Sequence, residues 1–173
     1  MKYLFVFLAT GILSASCQHS ASGNAALEKS IANVIEAFKN KDAKTINAMI
    51  HKDYGLTIIF RTGVFDEYKT IPGIDFDNPL LKNWPYPVAA SGSDIKYETL
   101  PVFDCESESW SKQGLYCDLT QRDDLLSRTV YNLEKYAEIP APPGVIEKFK
   151  EIEGKSHRIV LIDNDDKALI FYL

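Results

Sequence analysis

The sequence predicts a single α+β domain in which two helices precede strands and further helices precede a closing hairpin. Three observations predict this class. Apolar residues recur at helical spacing from Leu27 to Phe38, apolar and other residues alternate from Gly55 to Arg61, and two apolar runs flank Asn164-Asp165-Asp166. A period of 3.6 residues is typical of an amphipathic helix, and a period of two is typical of a strand.

Two helices are predicted at the start of the domain. The first covers Ala25 to Lys39, with Asn24 as its N-cap. The second is shorter and begins after Asp42, because an aspartate can accept a hydrogen bond from the first free amides of a helix. Its inward face consists of Ile46, Met49 and Ile50.

Two strands and a long loop are predicted next. Gly55 to Arg61 places Leu56, Ile58 and Phe60 on one face and Thr57, Ile59 and Arg61 on the other. A short strand follows around Glu67 to Ile71. Asp75 to Asp94 contains three prolines and is predicted to be irregular.

The second half of the chain is predicted to contain a hairpin, two helices and a closing hairpin. Ile95 to Cys105 and Gly114 to Thr120 form the first hairpin, and Pro101 marks an edge or a bulge in it. Helices follow over Asp124 to Tyr136 and from Val145 to Gly154. The final pair of strands covers His157 to Asp163 and Ala168 to Leu173.

The first seventeen residues predict an export signal. A positive start is followed by an apolar run from Tyr3 to Leu13, then by small residues and Cys17. This run is too short to span a bilayer, which requires about 20 apolar residues. The end of the segment resembles the lipobox of bacterial lipoproteins, although Ser14 stands where that motif usually has leucine. Ordinary secretory cleavage nearby is the alternative.

The lipobox resemblance implies a location and a domain division. Residues 1–16 are a signal peptide, and residues 17–24 are a polar tether, which leaves residues 25–173 as the domain. Cys17 carries acyl chains such as palmitate and becomes the mature N-terminus. The protein is therefore expected in the bacterial cell envelope, anchored on the periplasmic face or at the cell surface.

Composition excludes several classes of partner. The 173-residue chain has a net charge of −5, with 46% hydrophobic and 25% charged residues, which is ordinary for a globular domain. An acidic chain without a basic stripe does not suit nucleic acid or anionic lipid head groups. Membrane attachment is therefore expected through the acyl anchor alone.

The run EAFKNKDAKTINAMIHKDYGLTIIF, from Glu36 to Phe60, resembles the opening of nuclear transport factor 2-like domains, which have a cystatin-like cone fold. HRIVLIDNDDKALIFYL agrees with the closing strands of that superfamily. The resemblance implies a curved antiparallel sheet packed against the N-terminal helices. The helical segments from Asp124 to Gly154 are additions to the simple cone. The resemblance implies a shape and no reaction.

Cys105 and Cys117 are predicted to form a cross-strand disulfide if their strands pair. Phe103 and Cys105 share one strand face, and Cys117 lies on a face of the next strand. If Cys17 is acylated, the exported domain keeps only these two thiols, an even number that can pair in an oxidising compartment. Two free buried thiols are the alternative.

His51 and Asp53 are the weak candidates for an acid–base pair, although such residues also cap helix ends and stabilise turns. No motif for zinc, phosphate or nucleophilic catalysis is present. Neither a cofactor nor a metal is therefore expected. Asp75 to Asn78 and Asp163 to Asp166 lack the glycine and glutamate of calcium loops.

The candidate ligand-binding residues are Arg61, Trp84, Tyr86 and Trp110. The prolines around Trp84 and Tyr86 stiffen their loop, and rings held on a rigid loop can stack on a ligand. The same rings can instead plug the open end of the sheet. The sequence thus favours a non-catalytic binding domain of the envelope, with a small cone-fold enzyme (isomerase or hydrolase) and a structural envelope component as alternatives.

Overall fold

The structure is a computed structural model that describes residues 4–6, 21–82, 85–86, 94–120 and 124–173. It is of the mixed α+β class with four helices, as predicted. The helices are α1 (Ala21–Lys39), α2 (Ala43–Met49), α3 (Leu125–Ala137) and α4 (Val145–Lys155). The strands are β1 (Leu4–Val6), β2 (Leu56–Phe60), β3 (Glu67–Ile71), β4 (Ile95–Lys96), β5 (Phe103–Asp104), β6 (Ser109–Trp110), β7 (Gly114–Cys117), β8 (Arg158–Ile162) and β9 (Ala168–Tyr172).

The helices lie close to their predicted positions. Helix α1 begins at Ala21, earlier than predicted, so it includes residues 21–24 of the predicted tether. The predicted cap of α2 is present, since the carboxylate of Asp42 accepts the N–H of Thr45 at 3.0 Å. Within the described part of the chain, no helix combines the length and the apolar character that crossing a membrane requires.

Seven strands form one sheet in the order β3-β2-β1-β9-β8-β7-β4. Pairing is antiparallel except at β1–β9 and β4–β7. The predicted closing hairpin is confirmed as β8 and β9, whose turn is held by Asp163. Its carboxylate accepts the N–H groups of Asp165 and Lys167 at 2.9 and 2.8 Å.

Strand β1 lies inside the segment predicted to be a signal peptide. Leu4–Val6 runs antiparallel to β2 and parallel to β9, so it separates these two strands in the middle of the sheet. Its register pairs Phe5 with Ile58 on one side and with Phe171 on the other.

The predicted hairpin between Ile95–Cys105 and Gly114–Thr120 is wrong. Only Ile95–Lys96 pairs with β7, and this pairing is parallel. The chain leaves the sheet before the buried Pro101, and β5 then pairs with β6 in a separate two-stranded sheet. Proline has no N–H for a strand ladder, and the rings of Phe103 and Trp110 pack edge to face at 5.4 Å across the new hairpin.

Helices cover the large sheet on both faces. Successive side chains of a strand point to opposite faces, and in β8 Ile159 and Leu161 belong to one apolar cluster, whereas Val160 and Ile162 belong to another. The first cluster includes residues of α1 and α2, namely Ile31, Val34, Ile35, Phe38 and Ile46. The second includes residues of α3 and α4, namely Leu126, Val130, Phe149 and Ile152.

Burial on both faces explains the sequence of β2. All five of its residues are buried, including Thr57, which the alternating pattern had placed on the opposite face from Leu56. The Thr57 hydroxyl lies 2.9 Å from that of Thr70 on β3, so its polar atom has a partner.

Candidate functional site

His51 and Asp53 lie close together in the turn between α2 and β2, where the side chain of His51 is mostly buried and that of Asp53 faces solvent. The N–H of Asp53 donates to Nδ1 of His51 at 3.2 Å, and the Asp53 carboxylate is 4.0 Å from the same nitrogen. The side chain of Asp53 is 88% exposed. The imidazole packs on the ring of Tyr54, with centroids 4.6 Å apart. This arrangement stabilises the turn and does not place an acid–base pair in a cavity.

Arg61 follows β2 and forms an internal ion pair. Its Nε and Nη2 donate to the two carboxylate oxygens of Asp66 at 2.8 and 2.9 Å. The hydrogen bond to Asp66 raises the pKa of the Arg61 guanidinium above its ordinary value. The fork of donors that would bind a ligand carboxylate is therefore occupied from within the chain.

Of the candidate aromatic residues, Tyr86 and Trp110 lie in different parts of the fold, because they belong to different apolar clusters. Tyr86 is 4% exposed and belongs to the cluster beneath α1. Its ring meets that of Phe76 edge to face at 5.9 Å, and its hydroxyl oxygen accepts the N–H of Leu80 at 2.9 Å. Trp110 is half-buried in the small hairpin. Trp84 lies outside the described residues.

The two domain cysteines are free thiols and do not form the predicted disulfide. Cys105 is exposed and follows β5, whereas Cys117 is buried in β7. Because β5 pairs with β6 and not with β7, the shared strand face that the disulfide required does not exist. Burial raises the pKa of the Cys117 thiol to about 11, and neighbouring Asp118 contributes.

An open groove lies between α1 and the sheet edge formed by β7 and β4. Its volume is about 470 Å³, which is within the range of small-molecule sites. Its floor is apolar and its rim is acidic. The floor consists of Ile31, Ala32, Ile35, Ile95 and Leu115. The rim consists of Glu28, Glu36 and Asp94.

The helix α1 supplies most of this groove. Glu28, Ala32 and Glu36 follow one another at intervals of four residues, so they lie on one helical face, and the rise of the helix separates the two glutamates by about 12 Å. Ile31 and Ile35, on the adjacent face, are buried against the sheet. The helix thus presents carboxylates directly above an apolar surface.

Neighbouring polar groups orient the two glutamates of the rim. The hydroxyl of Tyr97 donates to Oε1 of Glu28 at 3.0 Å. Burial, together with the hydrogen bond to Glu28, raises the pKa of Tyr97 to about 12, so the phenol remains a donor at physiological pH. Glu36 accepts from Nδ2 of Asn40 at 2.8 Å and lies 3.7 Å from Nζ of Lys39.

Within the described part of the chain, two further cavities are smaller than this groove. One of about 370 Å³ lies among Pro72, Pro79, Lys82 and neighbouring loop residues, and one of about 360 Å³ lies between α3 and α4 beside Tyr131. Among the described residues, no group of three or more His, Cys, Asp or Glu side chains is placed to hold a metal ion.

The sequence did not identify the groove, although part of its signal was present. The spacing of Glu28, Ala32 and Glu36 is visible in the sequence, but the same spacing is typical of the solvent-exposed face of any amphipathic helix. Asp94 and Leu115 are distant in the chain and join the groove through the parallel pairing of β4 with β7. Comparison with known proteins finds no matching family model, curated protein or solved structure.

Proposed function

We propose that this chain is an exported, lipid-anchored envelope protein that binds a ligand in the groove beside α1 without transforming it. The observation that carries the binding role is the groove itself, an apolar floor of about 470 Å³ bounded by carboxylates. The proposed location in the cell envelope rests on the export signal and on Cys17. The described lining contains no histidine, cysteine, serine or lysine that could act with these carboxylates, which favours binding over catalysis.

The proposed anchor places the groove near the membrane. Three residues separate Cys17 from Ala21, the first residue of α1, and so short a link spans at most about 14 Å. The first turn of α1 would therefore lie close to the lipid head groups. Glu28 is seven residues further along the helix, about 10 Å from Ala21.

Processing at Cys17 also changes the sheet. Removal of residues 1–16 takes away Leu4–Val6, which lies between β2 and β9, and leaves six strands for the large sheet. We propose that β2 and β9 then pair directly. The order that we propose for the processed chain, β3-β2-β9-β8-β7-β4, forms a curved, cone-like sheet of the nuclear transport factor 2 type, with α3 and α4 added on its opposite face.

A variant whose groove is filled by a larger side chain tests whether the groove binds a ligand. The protein is extracted from envelopes without denaturation and its mass is measured in the native state. We expect a bound ligand on the unmodified protein, loss of that ligand in Ala32→Trp because the indole fills the groove, and retention in Asn33→Trp. Asn33 is the matched control because it is also exposed on α1 but does not line the groove. A ligand that survives Ala32→Trp, or no ligand on any form, contradicts the proposal.

A further inference from the structure

We propose that the ligand of the groove is a small organic cation, a primary ammonium group carried on an apolar stem. This inference rests on the proposed binding function and specifies its chemistry. The groove offers two recognition elements at once, since an apolar floor of isoleucine, alanine and leucine side chains lies beneath three carboxylates. Among the described lining residues there is no lysine, arginine or histidine.

The charge on the rim remains available to a ligand. Glu28 receives a hydrogen bond from the neutral hydroxyl of Tyr97, which orients the carboxylate without bringing a positive charge to it. Asp94 forms no ion pair within the described part of the chain. Lys39 partly compensates Glu36 from 3.7 Å, and both side chains are about half exposed. Among the residues that the structure describes, Glu28 and Asp94 therefore have no cationic partner.

The two elements together select one chemical class. An ammonium group gains charge-assisted hydrogen bonds to the rim, which are roughly twice as strong as neutral ones. The methylenes of its stem bury apolar surface on the floor, at about 25 cal/mol per Å². A neutral alcohol buries the same stem and can donate a hydrogen bond to the rim, but it brings no positive charge, and a carboxylate is repelled by the rim. The net charge of the chain, −5, also attracts cations at longer range.

The size of the groove suits a small molecule. Its volume of about 470 Å³ suits a ligand of drug-like size or smaller. The rise of α1 sets Glu28 and Glu36 about 12 Å apart, so a medium-length alkyl stem can lie along the floor while its ammonium group contacts one end of the rim.

The test uses matched probes and the full chain. Binding of n-octylammonium, n-octanol and n-octanoate is measured by calorimetry, below the concentrations at which they aggregate. We expect n-octylammonium to bind at least about tenfold more tightly than n-octanol, n-octanoate not to bind, and added salt to weaken the binding. Ala32→Trp should abolish the binding of n-octylammonium, whereas Asn33→Trp should leave it unchanged.

Variants that neutralise the rim carboxylates measure the contribution of the rim to binding separately from that of the apolar floor. The double variant Glu28→Gln with Asp94→Asn should weaken the binding of n-octylammonium about tenfold and leave that of n-octanol unchanged. Glu106→Gln is the control, because Glu106 is an exposed acidic residue outside the groove.

Two results would overturn the proposed ligand class, and they bear differently on the binding role. If n-octanol or n-octanoate binds as well as n-octylammonium and Ala32→Trp abolishes that binding, the groove is a binding site for a different class. If none of the probes responds to Ala32→Trp, the cationic ligand is rejected. The mass measurement on the envelope-extracted protein then decides the binding role separately.

Discussion

Glu153 of α4 accepts two hydrogen bonds from Ser127 of α3, one from the backbone N–H at 2.9 Å and one from the hydroxyl at 2.7 Å. Ser127 is the third residue of α3, so its N–H has no partner within the helix. The N-cap residue, Asp124, makes no side-chain capping bond. A carboxylate from the neighbouring helix thus caps α3, and the bond joins the two helices that cover the second face of the sheet.

We expect Glu153→Gln to destabilise the fold by about 1–3 kcal/mol, because it removes a charge-assisted acceptor from two buried donors. Urea unfolding of the full chain measures the change. Glu106→Gln, an exposed substitution, should alter the free energy of unfolding by less than about 0.5 kcal/mol. If the two variants prove equally stable, Glu153 does not act as the cap of α3.

Tyr86 provides a test of whether its loop plugs the core or presents a ligand surface. We expect Tyr86→Phe to cost about 1 kcal/mol, because the Leu80 N–H loses its acceptor. Tyr86→Ala should cost about 3–5 kcal/mol, because it removes a buried ring from contact with Phe76. Thermal unfolding measures both. Loss of ligand binding at unchanged stability would instead identify Tyr86 as part of a ligand platform.

The two domain thiols should react differently. We expect a neutral alkylating reagent to label Cys105 in the native protein and Cys117 only after unfolding, because Cys105 is exposed and Cys117 is buried. Peptide mapping by mass spectrometry identifies the labelled residue, and Cys105→Ser removes the native signal from the peptides of residues 25–173. A Cys105–Cys117 disulfide in a non-reducing map would contradict the observed pairing of β5 with β6.

The raised pKa of Cys117 also predicts a pH dependence. The unfolded thiol ionises near its ordinary value of 9.0, whereas the folded thiol ionises only at about 11. The unfolded state therefore releases its proton first, and the free energy of unfolding falls as the pH rises from about 9 to about 11. We expect Cys117→Ala to remove this part of the pH slope. An unchanged slope would show that the thiol ionises equally in both states.

The sequence was sufficient for those parts of the fold that depend on local pattern. Periodicity located α1 from Ala25 to its observed end at Lys39, and the Asn164-Asp165-Asp166 turn identified the closing hairpin, because a hairpin joins residues adjacent in the chain. It did not reveal that β2 is buried on both faces. That burial depends on α3 and α4, which lie far along the chain and cover the face that includes Ile59.

Non-local pairing limited the prediction of the site. Strand β4 has only two residues, and its parallel pairing with β7 carries no hairpin signal. The groove needs this pairing to bring Asp94 and Ile95 to α1, so no local pattern could disclose it. The disulfide prediction failed for the same reason, since it assumed that strands consecutive in sequence would pair.

The most direct test of an exported, lipid-anchored binding protein is the mass of the native chain recovered from the membrane fraction. Cleavage before Cys17 and acylation of that residue predict a chain that lacks residues 1–16 and carries diacylglyceryl on its first residue. A soluble chain that retains Met1, with the amides of Leu4–Val6 protected from hydrogen exchange between β2 and β9, would contradict it.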